Sequence, residues 1–386
     1  MRHASPAALA RVVRSLVSWW EIPPRSSLER GDAVRFAHAI ATLARQLVMA
    51  ASGLNDLPFS WHGPWRVAPA EFLSRLGEMT SLADRERSAD LAESLLEDML
   101  TLAARHGVEE AERRFLKLRS SARAPMSFTQ AEALALSLFD RARQSGARAV
   151  LIADSYARGC ADAASDVDIR LVVEAVPTLA ERHALVRPFA EDGQVRQYGD
   201  EAYITSDQFL RHGQRVDVKY HPVAWLERAL HEPFVLGGPI DLLELVEVHV
   251  VVADPMGVFA RVKSGAGERA VRAREVAAVS LNALRERAFA DSAAAPLEAM
   301  ATALGLGLEY AVRAWAGLNG RIHAFPKWMH LLVPTFALRP PDAWEWLLAL
   351  ATAPWTRETI SLRLGEWRRF VEDLAGLERR MLVVQG

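Results

Sequence analysis

The sequence predicts an α+β protein, with a small mixed β-sheet core flanked by N-terminal and C-terminal helical domains. Three observations predict it. Residues 1 to about 118 repeat apolar side chains at helical spacing. Residues from about 261 onward do the same. Between them lie short apolar or alternating runs bounded by turn residues, as strands require. The boundaries that follow are a helical domain over 1–126, a sheet domain over 127–262 and a second helical domain over 263–386.

The elements are justified in chain order. "DAVRFAHAIATLARQLVMAASGL" and "RSADLAESLLEDMLTLAARHG" are amphipathic helices, the second stopped by Gly107. The turn-rich "NDLPFSWHGPW" joins them. "RSSARAPMS" (119–127) reads as a linker, after which Ser127 or Thr129 caps the helix "QAEALALSLFDRARQSG". "ARAVLIA" is a continuous apolar run, expected to be a buried strand. "DVDIRLVVE", "EAYITS", "QRVDVKYH" and "HVVVADP" are further strands. "PLEAMATALGLGLEYAVRAWAGL" and "RLGEWRRFVEDLAGLERRM" return the chain to helix. Residues 47–72 and 311–336 share Gly-Leu-Asn followed by a Trp nine or ten residues later, a match short enough to arise by chance or to be the trace of a duplicated helical module.

Whole-chain properties exclude several functions. With 386 residues, 51% hydrophobic and 24% charged, the composition is that of a soluble globular protein of two or three domains. A net charge of -2 gives no general attraction to nucleic acid or anionic membranes. No basic stripe with interleaved aromatics is present, so nucleic acid is not an expected partner. The single cysteine, Cys160, precludes an intramolecular disulfide and any multi-cysteine metal site, and is expected to pack. The histidines lack ligand spacing. No signal peptide is read at the N-terminus, and the apolar runs are too short to span a bilayer. A cytoplasmic protein without membrane contact is the expectation.

The chemistry concentrates in "DSYARGCADAASDVDIRLVV" (154–173). Residues two apart on a strand share a face, so Asp166 and Asp168 project together. Two carboxylates that close raise one another's pKa unless a cation lies between them, and oxygen donors of this kind suit Mg²⁺. Ser155 lies where a strand ends and a helix begins, where backbone N–H groups and a hydroxyl can hold a phosphate.

At these residues the chain resembles the nucleotidyltransferase superfamily of DNA polymerase β, particularly small bacterial aminoglycoside and lincosamide nucleotidyltransferases with a C-terminal helical domain. The family pattern is Gly-Ser, often continued as x-Ala-Arg-Gly, then Asp-x-Asp on the next strand. Here Ser155, Ala157, Arg158, Gly159, Ser165, Asp166 and Asp168 stand at matching places. The family's third carboxylate matches Asp217 in "QRVDVKYHPV", with Glu201 on the preceding strand as the alternative. "VVADPMGVFARV" (251–262) resembles the family's strand–turn–helix exit, and "LNGRIHAFPKWM" its helical domain. The resemblance spans about 130–262 and says nothing firm about residues 1–118.

The resemblance implies two Mg²⁺ ions held by Asp166, Asp168 and Asp217, with ATP or another nucleoside triphosphate as co-substrate. Asp217 also positions or deprotonates the acceptor hydroxyl. Ser155 binds a phosphate, and Lys219, on the same strand face as Asp217, neutralises developing charge. Arg158 joins the phosphate side or makes a structural salt bridge. Lys327 reaches the triphosphate or simply anchors beside Trp328. The implied reaction moves a nucleoside monophosphate, AMP in the first instance, to a hydroxyl of a small-molecule acceptor. Transfer to a protein side chain, as in antitoxin-type relatives, and an inactive nucleotide-binding scaffold are the alternatives. A homodimer is compatible with each. One position departs from the family: its glycine before the serine is Asp154 here. Either that side chain points away from the triphosphate or binds a cation, leaving an active enzyme, or nucleotide binding is altered. The first is the expectation, with the side chain pointing away.

Overall fold

Alternation of apolar and polar side chains organises the middle of the chain into one sheet. The computed structural model describes residues 5–21, 24–54, 70–112, 124–162, 165–198, 205–231, 245, 248–265, 269–289, 297–322, 327–339 and 342–385. The strands are β1 (Ala147–Ala153), β2 (Val167–Val173), β3 (Arg196–Tyr198), β4 (Ser206–Arg211), β5 (Gln214–Pro222) and β6 (His249–Ala253). They form a mixed sheet in the order β3-β4-β5-β2-β1-β6. Only β2 and β5 run parallel; the other neighbours are antiparallel.

One face of the sheet is apolar. Val150 and Ile152, Val167, Ile169 and Leu171, and Val216, Val218 and Tyr220 are all buried there. They pack with Leu134, Leu138 and Phe139 of the Phe128–Ala142 helix and with Leu185 and Val186 of the Leu179–Val186 helix. Each such aliphatic side chain contributes roughly 1.5–3 kcal/mol by leaving water. Both helices begin as the sequence dictates, with capping boxes formed by Ser127 with Gln130 and by Thr178 with Glu181.

Strands β1, β2, β5 and β6 and the exit helix Val258–Gly265 fall where the sequence predicts them. "EAYITS" falls mostly on residues outside those described, as does Glu201, and β4 begins at its final serine. The sequence reading missed β3 and the remainder of β4. The β4–β5 hairpin turns at His212 and Gly213, whose φ values of 51° and 70° are the left-handed pair of a tight two-residue turn.

The chain divides into two units: Leu118–Arg269, which holds the sheet, and Met1–Lys117 together with Ala270–Gly386, which is helical. Where the sequence suggests two helical domains, their helices share one core. Leu16, Ile40, Leu43, Leu47 and Leu96 from the first segment and Leu304, Leu308, Trp315, Trp367 and Phe370 from the last belong to a single apolar cluster. Each segment alone would leave that face in water, so the segments merge. At the sheet end of the expected linker, Met126 is buried, its N–H held by Gln214.

The helical unit is built from two similar halves. Pro6–Glu21, Ala33–Leu54, Ala70–Ser81 and Arg85–Arg105 contain 16, 22, 12 and 21 residues. Arg269–Phe289, Leu297–Leu318, Ala343–Thr352 and Ile360–Gln385 contain 21, 22, 10 and 26. The packing is reciprocal. The two 22-residue helices lie together, and each also touches the 10- or 12-residue helix of the other half. In the second half, Asn319 of Gly-Leu-Asn clamps the following loop: its side chain donates to Leu338 O at 2.7 Å and accepts from Leu338 N at 2.7 Å. Its counterpart, Asn55, and the "NDLPFSWHGPW" loop lie outside the described residues. Among the described residues, no helix is long and apolar enough to cross a membrane.

Candidate active site

The other face of the sheet is polar because β2 and β5 alternate in phase. "VDIRLVV" and "QRVDVKYHP" pair in parallel so that Asp168 lies beside Asp217, Arg170 beside Lys219 and Val172 beside His221. Gln208 of β4 lies opposite Asp217. Asp166 precedes β2 and joins the pair. One carboxylate oxygen from each of Asp166, Asp168 and Asp217 lies within 4.8 Å of the others. Asp168 and Asp217 are buried, and Asp166 is half-buried.

Three cations answer these charges. Arg215 contacts Asp166 at 2.8 Å, and Arg170 contacts Asp168 at 3.1 Å. Lys219 is 3.5 Å from Asp217 and 3.8 Å from Asp168. The compensation is incomplete. Burial, followed by the charge of Asp166, pushes the Asp168 carboxyl up to about 7, against the opposing pull of Arg170 and Lys219. Asp217 Oδ1 is buried with no hydrogen-bond partner. An orphaned carboxylate oxygen beside two further carboxylates is a donor set suited to a hard divalent cation such as Mg²⁺.

The turn after β1 supplies the second component. Asp154–Ala157 is a single helical turn in which Ser155 is 1% exposed, its Oγ also lacking a partner. Arg158 caps that turn, half-buried, and Gly159 follows with φ 68°. Asp154 itself has φ 51°, a left-handed conformation that glycine adopts without strain and aspartate tolerates. Asp154 is close enough for its charge to raise the Asp168 pKa further.

A buried amide, unread in the sequence, fixes the loop between these parts. Gln214 donates to Ser165 O at 2.6 Å and accepts from Met126 N at 2.6 Å and Tyr156 OH at 3.2 Å. Ser165 in turn donates to Asp162 at 2.7 Å. The start of β5, the approach to β2 and the helical turn are thereby pinned at one point. Gln214, Tyr156, Arg170, Arg215 and His221 were all missed as site residues. The signal for the last three was the unbroken polar alternation "RVDVKYH", together with the Arg two places beyond Asp168.

The sheet unit therefore brings together Asp166, Asp168, Asp217 and Lys219, and Ser155 and Arg158 share the turn that follows β1. Lys327 belongs to the helical unit, half-buried, its ammonium 5.4 Å from the ring centre of Trp328. Cys160 is half-buried. No family model matches the chain, and no curated protein matches it either.

Proposed function

We propose that the protein is a metal-dependent nucleotidyltransferase that moves AMP from ATP to a hydroxyl of a small-molecule acceptor and releases pyrophosphate. The observation carrying this reading is the in-register pair Asp168–Asp217 on adjacent parallel strands, joined by Asp166 with one oxygen of each within 4.8 Å. Asp166, Asp168 and Asp217 would hold two Mg²⁺ ions, which when bound supply neutralisation of phosphate charge.

The side chains divide the remaining work. Ser155 donates its hydroxyl to a phosphate oxygen. Lys219 neutralises charge as the α–β phosphoanhydride P–O bond breaks. Asp217, besides sharing a metal, positions the acceptor hydroxyl or takes its proton. The acceptor oxygen bonds to the α-phosphorus, and pyrophosphate leaves. Arg158 is a further cation on the nucleotide side, and Lys327 enters this reading through the family resemblance alone.

A second reading, an inactive nucleotide-binding protein, is favoured by one observation: a carboxylate, Asp154, at the phosphate turn. Both are tested by incubating the purified chain with each nucleoside triphosphate, Mg²⁺ and a panel of hydroxyl acceptors, following pyrophosphate release. Asp166→Asn, Asp168→Asn and Asp217→Asn should each abolish release while circular dichroism stays unchanged. Near wild-type turnover in any of them at saturating Mg²⁺ removes the two-metal assignment. Calorimetric binding of Mg-ATP without turnover on any acceptor selects the second reading.

A further inference from the structure

The polar face of the sheet is laid out in rows, and beyond the carboxylates Arg170, beside Lys219, and His221 have no part in the proposed reaction. β1 runs antiparallel to β2, with Ile152 opposite Ile169, so the Ser155 turn lies at the N-terminal end of β2. Asp168 and Asp217 form the next row. Arg170 and Lys219 form the row after that, about 7 Å further along the strands. His221 lies another row beyond, beside Val172. His221 is 8% exposed, and both of its ring nitrogens are buried without a hydrogen-bond partner. Leaving a buried polar atom unmet is costly, and here a single ring leaves two.

Arg170 and Lys219 are adjacent like charges that share Asp168 Oδ1 as a counter-charge, and Lys219 lies nearer still to Asp217 Oδ2. A divalent cation on Asp168 and Asp217 takes that counter-charge away. Two neighbouring cations, side by side on adjacent strands, are then left without it, with a neutral imidazole in the next row. Burial, followed by the charges of Arg170 and Lys219, holds His221 well below its ordinary pKa, so it hydrogen-bonds without adding charge. Arg170 and Lys219 keep 13% and 27% of their side-chain surface exposed, enough to meet a ligand.

We infer that Arg170, Lys219 and His221 form an oxyanion subsite on the acceptor side of the metal carboxylates, and hence that the acceptor carries a carboxylate or phosphate group. The inference rests on the transferase reading, which gives the Ser155 side to the nucleotide and leaves the opposite side to the acceptor. Arg170 supplies two parallel N–H donors to the anion, Lys219 a point charge and His221 one further hydrogen bond. A polycationic acceptor is disfavoured by the same residues.

The test needs neither nucleotide nor the natural acceptor. Binding of inorganic phosphate and of acetate is titrated calorimetrically into the full-length protein with saturating Mg²⁺ and, separately, in chelator. The same titrations are run on Arg170→Gln, Arg170→Lys, His221→Phe and Ser155→Ala, with melting curves to confirm folding. Wild type in Mg²⁺ should bind the anion at least ten-fold more tightly than in chelator, where Asp168 holds Arg170. Arg170→Gln should lose ten-fold or more, Arg170→Lys should lose less because it keeps the charge without the paired donors, and His221→Phe should lose a few-fold, while Ser155→Ala leaves this event in place. Acetate binding as well as phosphate indicates a carboxylate acceptor; phosphate alone indicates a phosphorylated one. Binding that survives Arg170→Gln but vanishes with Ser155→Ala puts the anion at the nucleotide turn and overturns the proposal, as does no binding at all. Either failure leaves the transferase reading standing, since that reading falls only with Mg²⁺-dependent ATP binding or turnover.

Discussion

Asp168 shows what the site costs the fold. Its folded pKa of about 7 stands above the ordinary 3.8, so between these values the folded chain binds more protons than the unfolded one. Stability therefore falls as pH rises through that window, and the loss is complete above it. Replacing the carboxylate with a neutral isostere should reverse this. In metal-free buffer, Asp168→Asn should be more stable than wild type at pH 8 by roughly 1–3 kcal/mol, the gain vanishing towards pH 4. Urea unfolding at the two pH values checks it; a less stable variant at pH 8 would make the carboxylate and its cations a net stabilising group. Asp154 belongs to the same scale. A non-glycine residue in the left-handed region costs roughly 1–2 kcal/mol, which glycine recovers less about 0.5–1 kcal/mol of added backbone freedom. Asp154→Gly should therefore hold or slightly raise the melting temperature. Mg-ATP affinity measured calorimetrically should change little, the outcome expected of a side chain that points away from the triphosphate. A gain of about ten-fold would mean that its charge repels the phosphates. At this scale the sequence was legible in its carboxylates, because Asp-x-Asp and Val-Asp-Val state their own geometry on a strand. Gln214 and His221 were not legible, because nothing local marks a polar strand residue as buried.

Among the elements, the apolar runs and phased alternation made β1, β2, β5 and β6 readable. β3 is three residues long, and the first part of β4, Ser206-Asp207-Gln208, looks like a loop until its partners are known. Those partners are on other elements. Asp207 is fully buried and accepts from Tyr220 OH at 2.7 Å and Gln197 Nε2 at 3.2 Å, with Arg182 of the Leu179–Val186 helix 3.6 Å away. Arg182 also lies 5.5 Å from the Tyr220 ring centre. Burial pushes the Asp207 pKa up while Arg182 and the two hydrogen bonds pull it back, so this edge of the sheet depends on the network staying whole. Arg182→Ala leaves a buried carboxylate without its counter-ion and should cost about 3–5 kcal/mol in urea unfolding. A loss below about 1 kcal/mol would show that water or the hydroxyl alone satisfies Asp207.

Across the whole molecule, periodicity reads each helix's own apolar stripe but not which stripe it meets, so two helical segments that share a core were read as two domains. The shared Gly-Leu-Asn was the one long-range trace, and the pairing of the helices that carry it accounts for the join. The last prediction tests that pairing. At Gly305 of the Leu297–Leu318 helix, an added Cβ would lie 2.5 Å from Ala41 Cβ on the Ala33–Leu54 helix. Neither methyl can rotate away, so Gly305→Ala must push the two helices apart. Despite alanine's better helix propensity, the substitution should destabilise the protein by roughly 1–3 kcal/mol. Ala41→Gly removes the methyl on the opposing helix. On its own it should cost about 1 kcal/mol in helix propensity, but combined with Gly305→Ala it should restore much of the loss. The coupling energy from this double-mutant cycle should be at least about 1 kcal/mol. Additive effects would mean that these helices, 264 residues apart at the contact, do not approach as closely as the shared core requires. Coupling would show that the two ends of the chain fold as one unit, with the sheet domain inserted between them in sequence.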